Sequence, residues 1–304
     1  MNPPGNGAVP AVLPGGAAAA RRYPRENAPA LIAVAHGSRD PRSAATMRAV
    51  VELIAAQRPD LDVRLAFLDL STPSVDQVVD AVAADGHSHA VVVPLLLGSA
   101  FHARVDLPGL LDAARARHPR LRVTQADVLG PDPHLIIALR DRIVAALHAD
   151  FAPGPTGIHT APVDPRDRHA GMTGDAAARM IGDAAACTPR LGVAVAAVGS
   201  SSAAANARTG DVARLLTALT GWDTEICFAT TDPTLDKAFA RLRARGAQRI
   251  LVAPWFLAPG LLTDRLRGVL PQVPHAETLG AHPLLAEVAL DRYATAALPL
   301  ELSA

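Results

Sequence analysis

The chain alternates between short apolar runs and longer stretches in which apolar residues recur every three or four positions. LIAVA (31–35) precedes a helical pattern over about 42–57, VRLAFL (63–68) one over 74–84, and HAVVVPLLL (89–97) one over 107–117. LRVTQADV (121–128) and a helical pattern over 133–147 complete this half. The apolar runs are too short for helices and carry little polar alternation, so they predict strands buried on both faces. Their alternation with helices predicts βαβ units, hence a parallel sheet flanked by helices.

The pattern restarts at Leu191. LGVAVAAVGSS, a helix over 203–219, TEICFA, a helix over 235–245, QRILVAPWFL and a helix from Leu261 follow in the same order, and HAETLGAHPLLAEVALDRY echoes VLGPDPHLIIALRDRI of the first half. STPSVDQ matches TDPTLDK, and Pro73 to Pro233 and Pro94 to Pro254 are both separations of 160 residues. A repeat held in register across the middle of each half is a tandem duplication. Residues 151–190 lose the periodicity and gain Gly, Pro and Asp, which reads as a linker. Residues 1–28 are mostly Pro, Gly and Ala with Arg21, Arg22 and Arg25, a composition that cannot offset its ordering entropy and reads as a disordered leader. The expected organisation is a leader (1–28), an α/β domain (29–150), a linker (151–190) and a second α/β domain (191–304).

A length of 304 residues suits two domains, each large enough to bury its own core. No apolar run is long enough to cross a bilayer and no cleavable signal precedes the first strand, so a cytoplasmic protein without membrane contact is expected. Cys187 and Cys227 are the only cysteines, which supports neither a disulfide framework nor a cysteine metal cluster. With 29 basic and 29 acidic residues the chain lacks the excess needed to neutralise phosphates, which argues against nucleic acid. Lys237 is the only lysine; that bias, with so much Ala and Pro, fits a GC-rich genome and weakens any argument from arginine counts.

In parallel α/β sheets ligands bind beyond the carboxyl ends of the strands. His36 follows the first strand, Asp69 the second and His102 the third, so all three belong to one rim. The second copy has Val198, Ala229 and Leu262 in the corresponding frames, and joint loss is what a unit acting together predicts. Two imidazoles and a carboxylate are able to coordinate a borderline divalent metal or to move protons near neutral pH. Gly37 and Ser38 read as a turn and a helix cap. His87, His89, His118, His134 and His148 read as surface or structural residues. There is no G-x-x-x-x-G-K-[ST] loop and no G-x-G-x-x-G fingerprint, so neither a nucleotide nor a redox cofactor is implied. A strand followed by His-Gly is similar to the histidine phosphatase signature, but that phosphoryl transfer wants an arginine where Ala35 stands.

The segments AHGSRDP, FLDLSTPSVDQ and PLLLGSAFHARVDLP resemble those of the class II sirohydrochlorin chelatases, over roughly residues 30–148 and 191–296. The resemblance implies two tandem chelatase-like domains, each a parallel sheet flanked by helices, with a tetrapyrrole bound in the cleft between them. It implies insertion of Co²⁺ or Fe²⁺ into sirohydrochlorin, a lyase-type step of siroheme or cobalamin biosynthesis, with the ion as substrate and no further cofactor. The family's paired histidines fall on His36 and His102. Its acidic residue falls on Asp69, where members more often carry Glu. These three are the expected metal ligands and catalytic groups, the imidazoles also accepting the ring protons. The substrate carries many carboxylates, so Ser38, Arg39, Arg42 and Arg104 are the expected substrate-binding residues. Because duplication supplies both walls of the cleft, a monomer is expected. The competing reading from another class is a non-catalytic protein that stores or delivers metal or tetrapyrrole.

Overall fold

The computed structural model describes residues 28–98, 106–150 and 190–298. Nearly all of the expected leader and linker, together with His102 and Arg104, lies outside the described residues.

The first half runs β1 (Ala30–Ala35), α1 (Pro41–Gln57), β2 (Val63–Phe67), α2 (Val75–Ala84), β3 (His89–Pro94), α3 (Leu107–Arg117), β4 (Arg122–Gln125) and α4 (Pro133–Asp150). The second runs β5 (Leu191–Ala197), α5 (Ala203–Thr220), β6 (Asp223–Phe228), α6 (Leu235–Ala244), β7 (Arg249–Pro254), α7 (Leu261–Val269) and α8 (Pro283–Ala297). All pairings are parallel, in the orders β2-β1-β3-β4 and β6-β5-β7. The missing fourth strand has a sequence cause. The repeat separation falls from 160 residues at Pro94 and Pro254 to 150 at Leu129 and Leu279, so the second half is shorter here. An isolated bridge between Val252 and His275 is all that remains of the pairing.

Local chemistry sets the element ends. The Asp40 carboxylate caps α1 by accepting from the Arg42 amide, with Pro41 in the first turn; Ser74 and Gln77 form a reciprocal capping box on α2. Gly221, at φ 72°, closes α5 in the left-handed region.

Strand alternation divides the core. Leu31, Ala33 and Ala35 of β1 point to one face, and Ala30, Ile32 and Val34 to the other, where they meet α2 and α3. Likewise Val193, Val195 and Ala197 of β5 share one face, while Ala194 and Ala196 meet α6 and α7 on the other. The first face of each sheet belongs to a single cluster containing α1, α4, α5 and α8. Each half therefore buries a core of its own on one face of its sheet, while the largest core is common to both.

The reason is an exchange of terminal helices. Helix α8, from the second half, packs on α1, β3 and β4 of the first, while α4 packs on α5 and β7 of the second. Leu135, Ile136, Leu139 and Ile143 of α4 and Leu285, Val288 and Tyr293 of α8 are its buried anchors. The exchange is mirrored in hydrogen bonds. Arg142 on α4 donates to the Leu279 carbonyl (2.8 and 3.2 Å), and Arg292, at the matching position on α8, donates to the Leu129 and Val128 carbonyls (3.3 and 3.1 Å) and to Asp132 (2.9 Å). The Tyr293 hydroxyl donates to the Pro29 carbonyl at 2.8 Å. Among the described residues no helix is long and apolar enough to cross a membrane.

Because the core is shared, denaturant should unfold both halves in one cooperative transition. Arg292→Ala should cost about 2 kcal/mol by removing charge-assisted bonds to partly buried acceptors. Two separated transitions, with only one moved by this substitution, would contradict the exchange.

Three histidines give stability a pH dependence. Burial, with Arg122 and Arg267 respectively adding repulsion, holds His89 and His275 below the ordinary histidine range. Both ring nitrogens of His275 are buried and lack a well-formed hydrogen bond among the described residues, the Leu270 backbone compensating only weakly. Burial and then Arg142 lower His282, whose Nδ1 accepts from the Leu284 amide to cap α8. Such groups are neutral when folded but take up protons when unfolded below about pH 6.5, so the unfolded chain gains protons and stability falls with falling pH. The denaturation midpoint should be flat above pH 7.5 and should drop between pH 6.5 and 5.5. A midpoint constant over that window would contradict the burial argument.

Candidate functional site

The carboxyl ends of β1, β3, β5 and β7 meet across a cleft of about 580 Å³. His36, immediately after β1, is exposed at its wall, and the chain reaches the same wall after β3 at Leu95–Gly98. The opposing wall carries Val198, immediately after β5, and Trp255–Ala258 after β7. An imidazole thus lines one side and an apolar residue, Val198, 43% exposed, the other.

The turn after His36 is fixed by its neighbours. Gly37 has φ 93°, and a Cβ there would fall 1.7 Å from the Asp69 carbonyl oxygen, so only glycine lets the β1 and β2 loops touch. The Asp69 amide donates to the His36 carbonyl at 3.0 Å. Ser71 then stitches the loops together: its Oγ donates to the Ser38 carbonyl (3.0 Å) and accepts from the Ser38 amide (3.2 Å). The strand ends carrying His36 and Asp69 are therefore adjacent, as the sequence predicts.

The Asp69 side chain is less committed to the cleft. Its Oδ1 accepts from the Leu70 amide at 2.7 Å, capping a turn in which Leu70 takes φ 58°, and Asp69 is not among the cleft-lining residues. In the second half the same backbone bond runs from the Thr230 amide to the Val198 carbonyl (3.1 Å). The structural counterpart of Asp69 is thus Thr230, one residue beyond the Ala229 of the sequence alignment, because the loop is one residue shorter there. Thr230 keeps a turn-forming role by donating its hydroxyl to the Val198 carbonyl at 2.8 Å.

The four expected substrate-binding residues separate. The Ser38 hydroxyl accepts from the Asp40 amide at 3.0 Å and so belongs to the loop. Arg42 forks between Asp40 (2.5 Å) and Asp264 of α7 (2.5 Å), joining the two halves at the rim of the molecule. This pairing holds the carboxyls of Asp40 and Asp264 below the usual carboxylate range. Arg42, expected to bind substrate, is thus already engaged as a strut between the halves. Arg39 is exposed and makes no hydrogen bond or ion pair with a described residue. Arg104 and His102 lie outside the described residues, which hold among themselves no group of three or more metal-binding side chains.

The other histidines behave as structural residues. His87 bonds Asp62 (2.9 Å), His89 bonds the Thr124 hydroxyl (3.0 Å) and His118 bonds Asp80 (2.6 Å). Sequence reasoning missed Arg208, Thr209 and Trp255 on the second wall and Asp264 at the rim. Asp264 and Arg42 are 222 residues apart, and no local pattern signals such a pair.

The arrangement offers a slot with apolar walls, an imidazole on one of them and backbone loops held rigid behind it. That suits a flat ligand with apolar faces, able to meet His36 on one side. The comparisons with known proteins agree. The family model described as CbiX matches residues 30–146 and 192–296. A sirohydrochlorin cobaltochelatase of Priestia megaterium is 26% identical over 275 residues, covering 85% of this chain and 77% of that protein. A sirohydrochlorin ferrochelatase of the same organism is 24% identical, covering 85% of this chain and 87% of that one. In fold, the chain resembles SirB from Bacillus subtilis with Fe³⁺ at a TM-score of 0.65, with 22% identity, covering 89% of this chain and 96% of that one. The two matched segments account for most of the chain and fall on both halves of the cleft, and the chain belongs to the CbiX family.

Proposed function

We propose that this chain inserts Co²⁺ or Fe²⁺ into sirohydrochlorin. The observation that carries the reading is the one-sided cleft: two matching strand-end walls of one duplicated fold, with His36 on the first and Val198 on the second. The relatives bearing the names sirohydrochlorin cobaltochelatase and ferrochelatase support the substrate.

The free macrocycle holds two protons on its inner nitrogens, and the metal complex holds none, so each insertion exchanges one divalent ion for two protons. A neutral imidazole does both parts of that exchange: it ligates the ion before transfer and accepts a proton after it. His36 is proposed for this role together with His102, which follows the third strand. Two imidazoles leave coordination positions open, so the ion is held loosely enough to be passed on, unlike one in a closed four-ligand cage. Asp69, beside His36 through the backbone, is proposed to assist by its charge or through bound water. Trp255, Phe256 and Val198 exclude water from the other face of the ring. The organisation into two chelatase-like domains and function as a monomer belong to the same proposal, since one chain already supplies both walls.

In an absorbance assay with sirohydrochlorin and Co²⁺ or Fe²⁺, the wild-type chain should accelerate the spectral shift catalytically. His36→Ala should lower the rate by about 100-fold. His118→Ala, altering a histidine paired with Asp80 away from the cleft, should leave it unchanged. Tetrapyrrole binding without acceleration would favour the storage or delivery reading, and full activity in His36→Ala would contradict the mechanism.

A further inference from the structure

The cleft contains a charged side chain that metal transfer does not use. Arg208, on α5, lines the second wall, is exposed, and makes no hydrogen bond or ion pair with a described residue. The other arginines that join the halves are occupied: Arg42 by Asp40 and Asp264, Arg142 by the Leu279 carbonyl, and Arg292 by Asp132 and two carbonyls. The duplication shows what is special about the position. The caps Asp40 and Ser202 correspond, and the sixth residue after each is Thr46 in α1 and Arg208 in α5. Thr46 bonds its own helix, donating to the Arg42 carbonyl at 2.8 Å, and a Cβ on Gly280 would lie 4.0 Å from its methyl group. Arg208 and the Gly130–Pro131 loop of the first half both line the cleft. At this helical position the copy without the histidine carries a cation and the copy with it a threonine.

A guanidinium keeps its charge at every working pH. Walls that are otherwise largely apolar press any ligand filling the slot against this charge. A ligand bringing no anion would leave it desolvated and unpaired, which is costly, whereas a planar carboxylate matches its fork. Resting on the proposed function, we infer that Arg208 receives a peripheral carboxylate of the bound tetrapyrrole. It acts from the wall across from His36 and so fixes the in-plane rotation of the ring over the metal-transferring side. The duplicated halves then divide the work: the first handles the ion and the second orients the ring.

The test is titration of metal-free sirohydrochlorin into the full chain, followed by absorbance at low and high ionic strength. Arg208→Ala should weaken binding about tenfold at low salt, and Arg208→Lys, which keeps the charge but loses the fork, should fall between. Salt should weaken the wild type more than Arg208→Ala, because screening acts on the lost charge pair; a steric role would not produce that difference. If Arg208→Ala changed the fold, Arg208→Gln, with the same expected weakening, decides. Tight wild-type binding that Arg208→Ala leaves within twofold would overturn this inference and leave the proposed function standing. Failure of the wild type to bind sirohydrochlorin would overturn both.

Discussion

The structure depends on the exchange of its two terminal helices. Each half alone has a sheet with one face covered by its own α2 and α3, or α6 and α7, and another face whose covering is completed by a helix from the other half. Arg142 and Arg292 fasten that arrangement by donating to the carbonyls of Leu279 and Leu129, which sit just before the loops leading into the partner helices. The cleft is a consequence. Its walls are strand ends of two sheets that cannot part without opening the common core, and the Arg42–Asp264 pair adds a second tie at the rim. A site built across such a joint holds its geometry to the tolerance of a packed interior rather than that of a hinged pair of domains.

On that rigid frame the two copies have diverged where the frame does not constrain them. Gly37 and Gly199 both keep φ above 90°, because the turn needs it, while the residues just before them became His36 and Val198. Among the described residues the second half also has three strands where the first has four, and it carries Arg208 on α5 where α1 carries Thr46. On the proposed function these differences have one sense: a flat substrate has two faces, and only one of them needs metal chemistry. An apolar wall behind the ring raises the effective strength of every polar interaction in front of it by excluding water.

Much of this was legible in the sequence. Strand and helix order, the duplication, and the placing of His36 and Asp69 on neighbouring strand ends all follow from local periodicity and the rim rule for parallel sheets. HAVVVPLLL ends as a strand at Pro94, because proline offers no amide to the ladder and the following leucines turn into the cleft. The helix exchange was not legible. ALRDRI and ALDRYA read as ordinary amphipathic turns, and nothing local distinguishes a helix packed on its own sheet from one packed on its twin's. For the same reason Arg42 looked available while Asp264 holds it from the other half, and Arg208 was hidden among the many arginines of a lysine-poor chain. The Asp69 side chain shows the converse: its position was legible, but its bond to the Leu70 amide depends on a left-handed residue that sequence does not announce.

The central claim is that one half handles the ion and the other does not. The most direct measurement is a crystal structure of the Co²⁺-loaded protein with anomalous data at the cobalt edge. The account predicts a single strong peak in the cleft within coordination distance of the His36 ring and on its side of the slot. A peak against Val198, or one outside the cleft with none beside His36, would contradict it.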